Sequence, residues 1–448
     1  LSRELVECYL DRIDALDPDL GSYVEVLADR ARADASVADE ATLAGQPLGA
    51  LHGVPVSIKD LNFLSGSRTT LGTAAFAEHV ATFDDHCVAR LLASGAIPLG
   101  KTNVPEFGTI GHTDTALLGP CSTPWDPGRN AGGSSGGAGA ALAAGLCALS
   151  QGSDGAGSIR IPAAVNGAVG LKPARDRISN GPMIGDSAFG FSTAGALTRT
   201  VSDAALALDV MAGYEPGDPG LAPAPPQPWN DARQPPFGPL RIGVSRQAPF
   251  SPEGLHPGVT SALEHTVGLL ERLGHEVQEV AIPVADDLPE LLLTIWAANL
   301  AAQPFDPSTY EPVNRWLASV GHQQTAARYA AAQFQLQLGC RAIIRTTDHL
   351  DALLLPVLTA PTRRNGHYDG WDGEAVFRDQ TALVGLTPLA NLTGQPAISL
   401  PLHHDKMTGP VGVQFVGEPW DETGLLRLAT QLEDAAPWTD RRPALAMT

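Results

Sequence analysis

Hydrophobic positions change period along the chain, and each change marks an element. Leu5, Tyr9, Ile13 and Leu16 recur at helical spacing, with Glu4, Glu7, Asp11 and Arg12 among them. That pattern predicts a surface helix over 2–16, with Ser2 available as its cap. In Gly53-Val-Pro-Val-Ser-Ile-Lys59-Asp60 the apolar residues Val54, Val56 and Ile58 alternate. A period of two predicts a strand that ends at Lys59, with Asp60 turned to the opposite face. From Asn130 to Ser153 no residue is charged, but only Ala138 to Leu149 is strongly apolar, and Gly and Ser crowd its start. A membrane span needs about 20 consecutive apolar residues. The segment therefore predicts a small-residue helix packed in the core, beginning just after Ser134 and Ser135.

Further along, nine of the residues from Pro216 to Pro239 are proline, which predicts an extended surface linker over about 216–239. Leu240 to Val244 reads as a strand. Val259, Leu263, Val267, Leu270 and Leu273 trace a helix that Gly274 would end, and Val277 to Ile282 reads as the next strand. A strand–helix–strand unit favours a parallel or mixed sheet with helices over its faces. Leu288 to Leu350 is Ala- and Gln-rich and mostly helical in pattern. Strands return at Leu353–Val357, Ala397–Leu402 and Val411–Val416, and no repeat of fixed period occurs.

Composition narrows the function classes. The chain has 448 residues with 29 Lys and Arg against 49 Asp and Glu, a formal charge of −20. That balance opposes nucleic-acid binding and a polybasic membrane surface. Cys8, Cys87, Cys121, Cys147 and Cys340 are odd in number and widely spaced, so reduced thiols in a cytoplasmic protein are expected rather than a disulfide framework or zinc site. The first ten residues read as helix, so no signal peptide is expected there. The chain opens at Leu1 without methionine, and native residues are expected to precede it.

The densest anomaly is Gly132-Gly-Ser134-Ser135-Gly-Gly137. Glycines around two hydroxyls permit close approach and unusual dihedrals. A second small-residue serine follows in Gly152-Ser-Asp-Gly-Ala-Gly-Ser158-Ile-Arg-Ile-Pro162. The successive backbone N–H groups of Gly155, Ala156, Gly157 and Ser158 could hold an oxyanion there. A phosphate loop would need a Lys after the glycines, and none follows. A nucleophile elbow on Ser134 fits G-x-S-x-G but needs a hydrophobic strand upstream, where Thr123 to Asn130 reads as a turn. A flexible Gly/Ser loop would leave Lys59 and Ser158 unexplained.

Taken together, Gly53–Asp60, Gly133-Ser-Ser-Gly-Gly137 and Asp154-x-Ala-x-Ser158-Ile-Arg-x-Pro162 resemble the amidase signature family of serine hydrolases. The likeness extends through Gly100-Lys-Thr-Asn103, Gly170-Leu-Lys-Pro173, Asn391-Leu-Thr-Gly-Gln-Pro396 and Gly412-Val-Gln-Phe-Val-Gly417. It is weakest from about Pro216 to Leu350. The resemblance implies an α/β fold, a large mixed β-sheet covered by helices on both faces, as one domain over 1–448 with the signature core near 53–200. It implies Ser158 as nucleophile, Ser134 as proton relay after a cis peptide bond, and Lys59 as general base. It also implies an oxyanion hole of the four amides, no cofactor and no metal. Expected partners are a small-molecule amide substrate, no nucleic acid and no membrane, with a monomer or homodimer equally open.

An amine serves as base only when neutral, so burial must lower its pKa by about three from ~10.4, at a cost of about 4 kcal/mol. The charge-free segment 130–153 could supply such surroundings. Many family members have Thr or Ser and two glycines before the nucleophile. Here Gly155-Ala156-Gly157 stands there, and the Ala156 methyl could narrow the site. Arg160 is expected to pair with Asp154, and Ser135 to support locally through hydrogen bonds. His403-His404-Asp405 lacks metal-ligand spacing and reads as a polar loop. Cys121, Cys147, Trp125 and Trp420 read as packing residues. Pocket walls are expected from 288–350 and 175–192. The run Ser153 to Ser158 with Gly170 to Ala174 resembles nylon-oligomer cyclic-dimer amidases, which adds oligoamides to aliphatic, aryl and peptide amides as candidate substrates. Three rivals remain: a glutamine-hydrolysing component of a tRNA-dependent amidotransferase, an α/β-hydrolase esterase on Ser134, and an inactive ligand-binding member of the fold.

Overall fold

The computed structural model describes residues 1–235 and 238–447. Its strands are β1 (Tyr23–Val26), β2 (Pro55–Lys59), β3 (Ile97–Thr102), β4 (Ser122–Thr123), β5 (Asp126–Asn130), β6 (Leu149–Asp154) and β7 (Val169–Lys172). They continue with β8 (Thr193–Thr198), β9 (Arg241–Val244), β10 (Glu276–Glu279), β11 (Ala352–Pro356), β12 (Ala397–Asp405) and β13 (Gly409–Gly417). Eleven form one sheet in the order β1-β3-β2-β6-β8-β7-β12-β13-β11-β9-β10, and β4 pairs β5 apart from it. The β3-β2-β6 and β11-β9-β10 runs are parallel and the other pairings antiparallel, so the sheet is mixed. The predicted strand–helix–strand unit is β9, the helix Pro257–Arg272 and β10, joined in parallel.

Every residue of β2 is buried, so its alternation separates two cores rather than core from solvent. Val56 and Ile58 join the core beneath the helices His86–Ala93 and Val201–Met211. Ile97, Leu99 and Leu197 of neighbouring strands join the other core, with the helices Ser2–Leu20 and Gly136–Ala143. Lys59 is opposite in parity to Ile58, and so enters the second side.

Several expectations are corrected. The first helix runs to Leu20 and buries Val6, Leu10, Ile13, Leu16 and Leu20, while Leu5 is exposed. Ile13 and Leu16 face the core as expected, while Val6 and Leu10 replace Leu5 and Tyr9 in the buried stripe. Ser2 is inside the helix, and its N–H donates to Asp39 Oδ1 at 2.6 Å. The small-residue helix spans only Gly136–Ala143, because Gly145 takes a left-handed turn and Leu149 already starts β6. Thr123–Asn130 is a β4–β5 hairpin rather than a plain turn. His403, His404 and Asp405 pair with β13 at the end of β12 and are not a loop. Trp420 is 53% exposed at φ 62°, so it is not a packing residue, whereas Trp125 Nε1 donates to Asn166 O at 2.9 Å. The Pro-rich stretch holds a short helix, Trp229–Ala232, whose Trp229 is buried under the Arg177 guanidinium. Pro236 and Phe237 of that stretch lie outside the described residues. Among the described residues no helix is long and apolar enough to cross a membrane, and no group of His, Cys, Asp or Glu is arranged to hold a metal ion.

Candidate active site

Three segments distant in sequence meet at one point. β2 carries Lys59 to its C-terminal end. The turn after β5 presents Ser134 just ahead of the helix Gly136–Ala143. The loop after β6 presents Ser158. The small-residue helix makes this approach possible: a Cβ on Gly137 would lie 2.3 Å from Asn103 N and 2.3 Å from Ser22 O. Only a hydrogen fits there.

Lys59 is 0% exposed. Its Nζ lies 2.8 Å from Ser134 Oγ, 3.1 Å from Ser153 Oγ and 3.2 Å from Ser153 O. Its own N–H donates to Gln151 Oε1 at 3.1 Å. No carboxylate among the described residues touches the amine. Asp60 turns away as its strand position requires, where Lys101 Nζ meets its Oδ1 at 3.1 Å and the Thr70 amide and hydroxyl meet its Oδ2. Burial therefore pushes the Lys59 amine down to about 7 from 10.5, against a smaller upward pull from Asp154. That drop corresponds to ~5 kcal/mol at about 1.4 kcal/mol per tenfold.

The Gly133–Ser134 peptide bond is cis. Ser135 N–H donates to Ser158 O at 3.1 Å, which ties the two serine segments together. Ser135 Oγ donates to Ser153 O at 3.3 Å, a local supporting contact. Ser134 and Ser158 line the same cavity, and Ser158 Oγ has no hydrogen-bond partner among the described residues. No histidine hydrogen-bonds Ser134 among the described residues, as an esterase on that serine would require.

Asp154 organises the loop that carries Ser158. Its Oδ1 accepts the Gly157 N–H at 2.7 Å, and its Oδ2 accepts the Ile159 N–H at 3.1 Å. The Arg160 guanidinium binds both oxygens at 2.9 Å and is itself fully buried. The remaining guanidinium N–H groups reach Thr387 O, Gln414 Oε1 and Asn391 Oδ1. Burial alone would push the Asp154 carboxyl up; the Arg160 charge and hydrogen bonds outweigh it and hold the group well below the usual carboxylate range. Of the four amides expected to hold an oxyanion, Gly157 N–H donates to Asp154. The N–H groups of Gly155, Ala156 and Ser158 take no hydrogen-bond acceptor among the described residues. Gly157 holds φ 117°, a conformation that strains any other residue.

The cavity is about 490 Å³. Its walls come partly from the expected stretches, with Pro289, Leu292 and Trp296 from one and Ser179, Met183 and Ser192 from the other. They also come from 61–63, 107–111 and 377–388, which no local pattern marked. Ser153 was likewise missed as a partner of Lys59; its place beside Asp154 in the second serine cluster was the only hint. Cys87 lines the cavity too, and burial raises its thiol far above the ordinary range. Cys121 and Cys147 are buried packing residues, Cys147 pushed up to about 11 by burial.

A family model of the amidases matches residues 4–426. The chain belongs to the amidase signature family and is an amidase, an enzyme that hydrolyses carboxylic amides. It is 36% identical over 434 residues to a putative amidase of Synechocystis, covering 96% of this chain and 84% of that protein. It is 34% identical over 467 residues to the 6-aminohexanoate-cyclic-dimer hydrolase of Pseudomonas, covering 99% and 93%. It is also 35% identical to one component of the glutamyl-tRNA(Gln) amidotransferase of Synechococcus, covering 99% and 96%. Among solved structures, 6-aminohexanoate cyclic dimer hydrolase with substrate aligns at a TM-score of 0.92 and 32% identity, covering 100% of this chain and 96% of that one. A bacterial aryl acylamidase of the amidase signature family aligns at 0.88 and 25%, covering 98% and 94%.

Proposed function

We propose that the chain hydrolyses a carboxylic amide through an acyl-enzyme on Ser158. Neutral Lys59 takes the proton of Ser134, which takes that of Ser158 as its Oγ attacks the carbonyl carbon. The backbone N–H groups of Gly155, Ala156 and Ser158 hold the oxyanion. The proton returns through Ser134 to the leaving nitrogen, the C–N bond breaks, and ammonia or an amine departs. Water then repeats the sequence on the ester and releases the acid. One observation carries the reading: a fully buried amine, with no carboxylate contact among the described residues, lies 2.8 Å from a serine hydroxyl at the edge of a cavity that also holds Ser158.

A panel of aliphatic, aryl, peptide and oligomeric amides, followed by release of ammonia or amine, tests this. At least one class should be hydrolysed by the protein alone, and Ser158→Ala and Lys59→Met should each abolish it. An undiminished rate in Lys59→Met would overturn the base assignment. Glutamine hydrolysis only alongside a second, co-purifying protein would instead support the amidotransferase reading.

A further inference from the structure

The described lining of the cavity carries no positive side chain. Among its described lining residues none is Lys, Arg or His, but two are carboxylates, Asp85 and Asp186. Asp85 occupies the N-terminal position of the helix His86–Ala93 without capping it. It reaches instead toward the cavity wall, where its Oδ2 accepts Asn62 Nδ2 at 2.8 Å and the Phe63 N–H at 3.1 Å. Its Oδ1 takes no hydrogen bond from any described residue. Its basic neighbours are committed elsewhere: Lys101 Nζ to Asp60 at 3.1 Å, and His86 Nδ1 to Ser179 Oγ at 2.8 Å. Burial pushes the Asp85 carboxyl up to about 6, so it is still largely ionised at neutral pH. Asp186 sits at the exposed rim, with Arg175 nearby but held by the carbonyls of Gly190, Asn391 and Leu392. The aromatic residues Phe63, Phe107 and Trp296 also line the cavity. A mostly buried carboxylate with one oxygen that takes no hydrogen bond from the described residues receives a cation and repels an anion. The net charge of −20 steers in the same direction.

We infer that the amides this enzyme takes carry a positively charged amino group, which Asp85 receives in the cavity while the amide carbonyl meets Ser158. The inference rests on the hydrolytic reading above and names its substrate class.

Three amides of equal chain length test it: 6-aminohexanamide (cationic), heptanamide (neutral) and the monoamide of heptanedioic acid (anionic). Wild-type kcat/KM should fall in that order, with the cation favoured over the neutral amide by about tenfold, the scale of one charge-assisted hydrogen bond. Asp85→Asn should collapse the ratio of cationic to neutral rates, while thermal melting reports whether that variant folds. Calorimetry with hexylammonium, hexanol and hexanoate gives a readout that needs no turnover. Hexylammonium should bind wild type most tightly. If heptanamide is hydrolysed as well as the cationic amide, or hexanol binds as tightly as hexylammonium, the inference is overturned and the hydrolytic reading stands. If no amide is cleaved yet hexylammonium binds through Asp85, the hydrolytic reading fails and the cation site survives.

Discussion

In the proposed mechanism Lys59 is the base whose titration the rate follows. The proposed base acts when neutral, so kcat/KM for an uncharged amide should rise about tenfold per pH unit below ~7 and level off above it. A profile flat from pH 5 to 9 would contradict that. The same burial has a stability signature with a definite sign. Between about 7 and 10.5 the unfolded chain binds more protons at this lysine than the folded chain does, so its contribution to stability rises with pH over that window. Lys59→Met removes the term. Its stability relative to wild type, from urea melts, should be most favourable at or below pH 7 and decline toward pH 10.5, by up to about 5 kcal/mol. Asp154→Asn should act differently, leaving the buried Arg160 without its counter-charge, and should destabilise by about 3–5 kcal/mol. Lys59, Ser134 and Ser158 were legible because their spacing and glycine flanks resemble a known signature. The engagement of Gly157 N–H by Asp154 was not, since it depends on how the loop closes around the carboxylate. Ser153 was hidden for the same reason: nothing in a linear run says that its hydroxyl and carbonyl turn toward an amine 94 positions earlier.

Among the elements, the helix Gly136–Ala143 sets the distance between the serines and the lysine. Its whole surface is buried, and its glycines are contacts rather than hinges. Gly137→Ala would drive a methyl group onto backbone atoms of Asn103 and Ser22, so it should destabilise by at least about 2–3 kcal/mol and lower kcat together with stability. Gly45→Ala, with nothing within 4 Å of the added carbon but φ 66°, gives a comparison governed by backbone alone. Sequence patterning located most elements because burial on one side leaves a period. It held for β2, which is buried on both sides, and failed where neither side is buried. The five buried residues of β2 alternate between two cores, and the exposed β10 ends at Glu279, short of Ile282. His403 and His404 look like loop residues because their side chains are polar, yet their backbone extends the β12–β13 ladder.

At the scale of the whole molecule, function depends on the order of strands rather than on their sequence. Placing β2 between β3 and β6 sets Lys59 beside the serine loops, and the cavity gathers walls from segments hundreds of residues apart. The mixed sheet followed from strand and helix patterns, but the convergence of 61–63, 107–111 and 377–388 did not, because packing alone brings them together. Trp296, on the helix Leu288–Ala301, lines the cavity and meets Phe191 edge-on. Trp296→Ala should shift the amide ranking toward bulkier substrates, read as kcat/KM across the panel, while leaving Lys59 and its titration in place. The account as a whole is tested most directly by mass-spectrometric mapping of a fluorophosphonate adduct on folded wild type and Lys59→Met. It predicts a single adduct on Ser158 in the wild type, slowed by orders of magnitude in the variant. An adduct on Ser134, or equal labelling of both proteins, would contradict it.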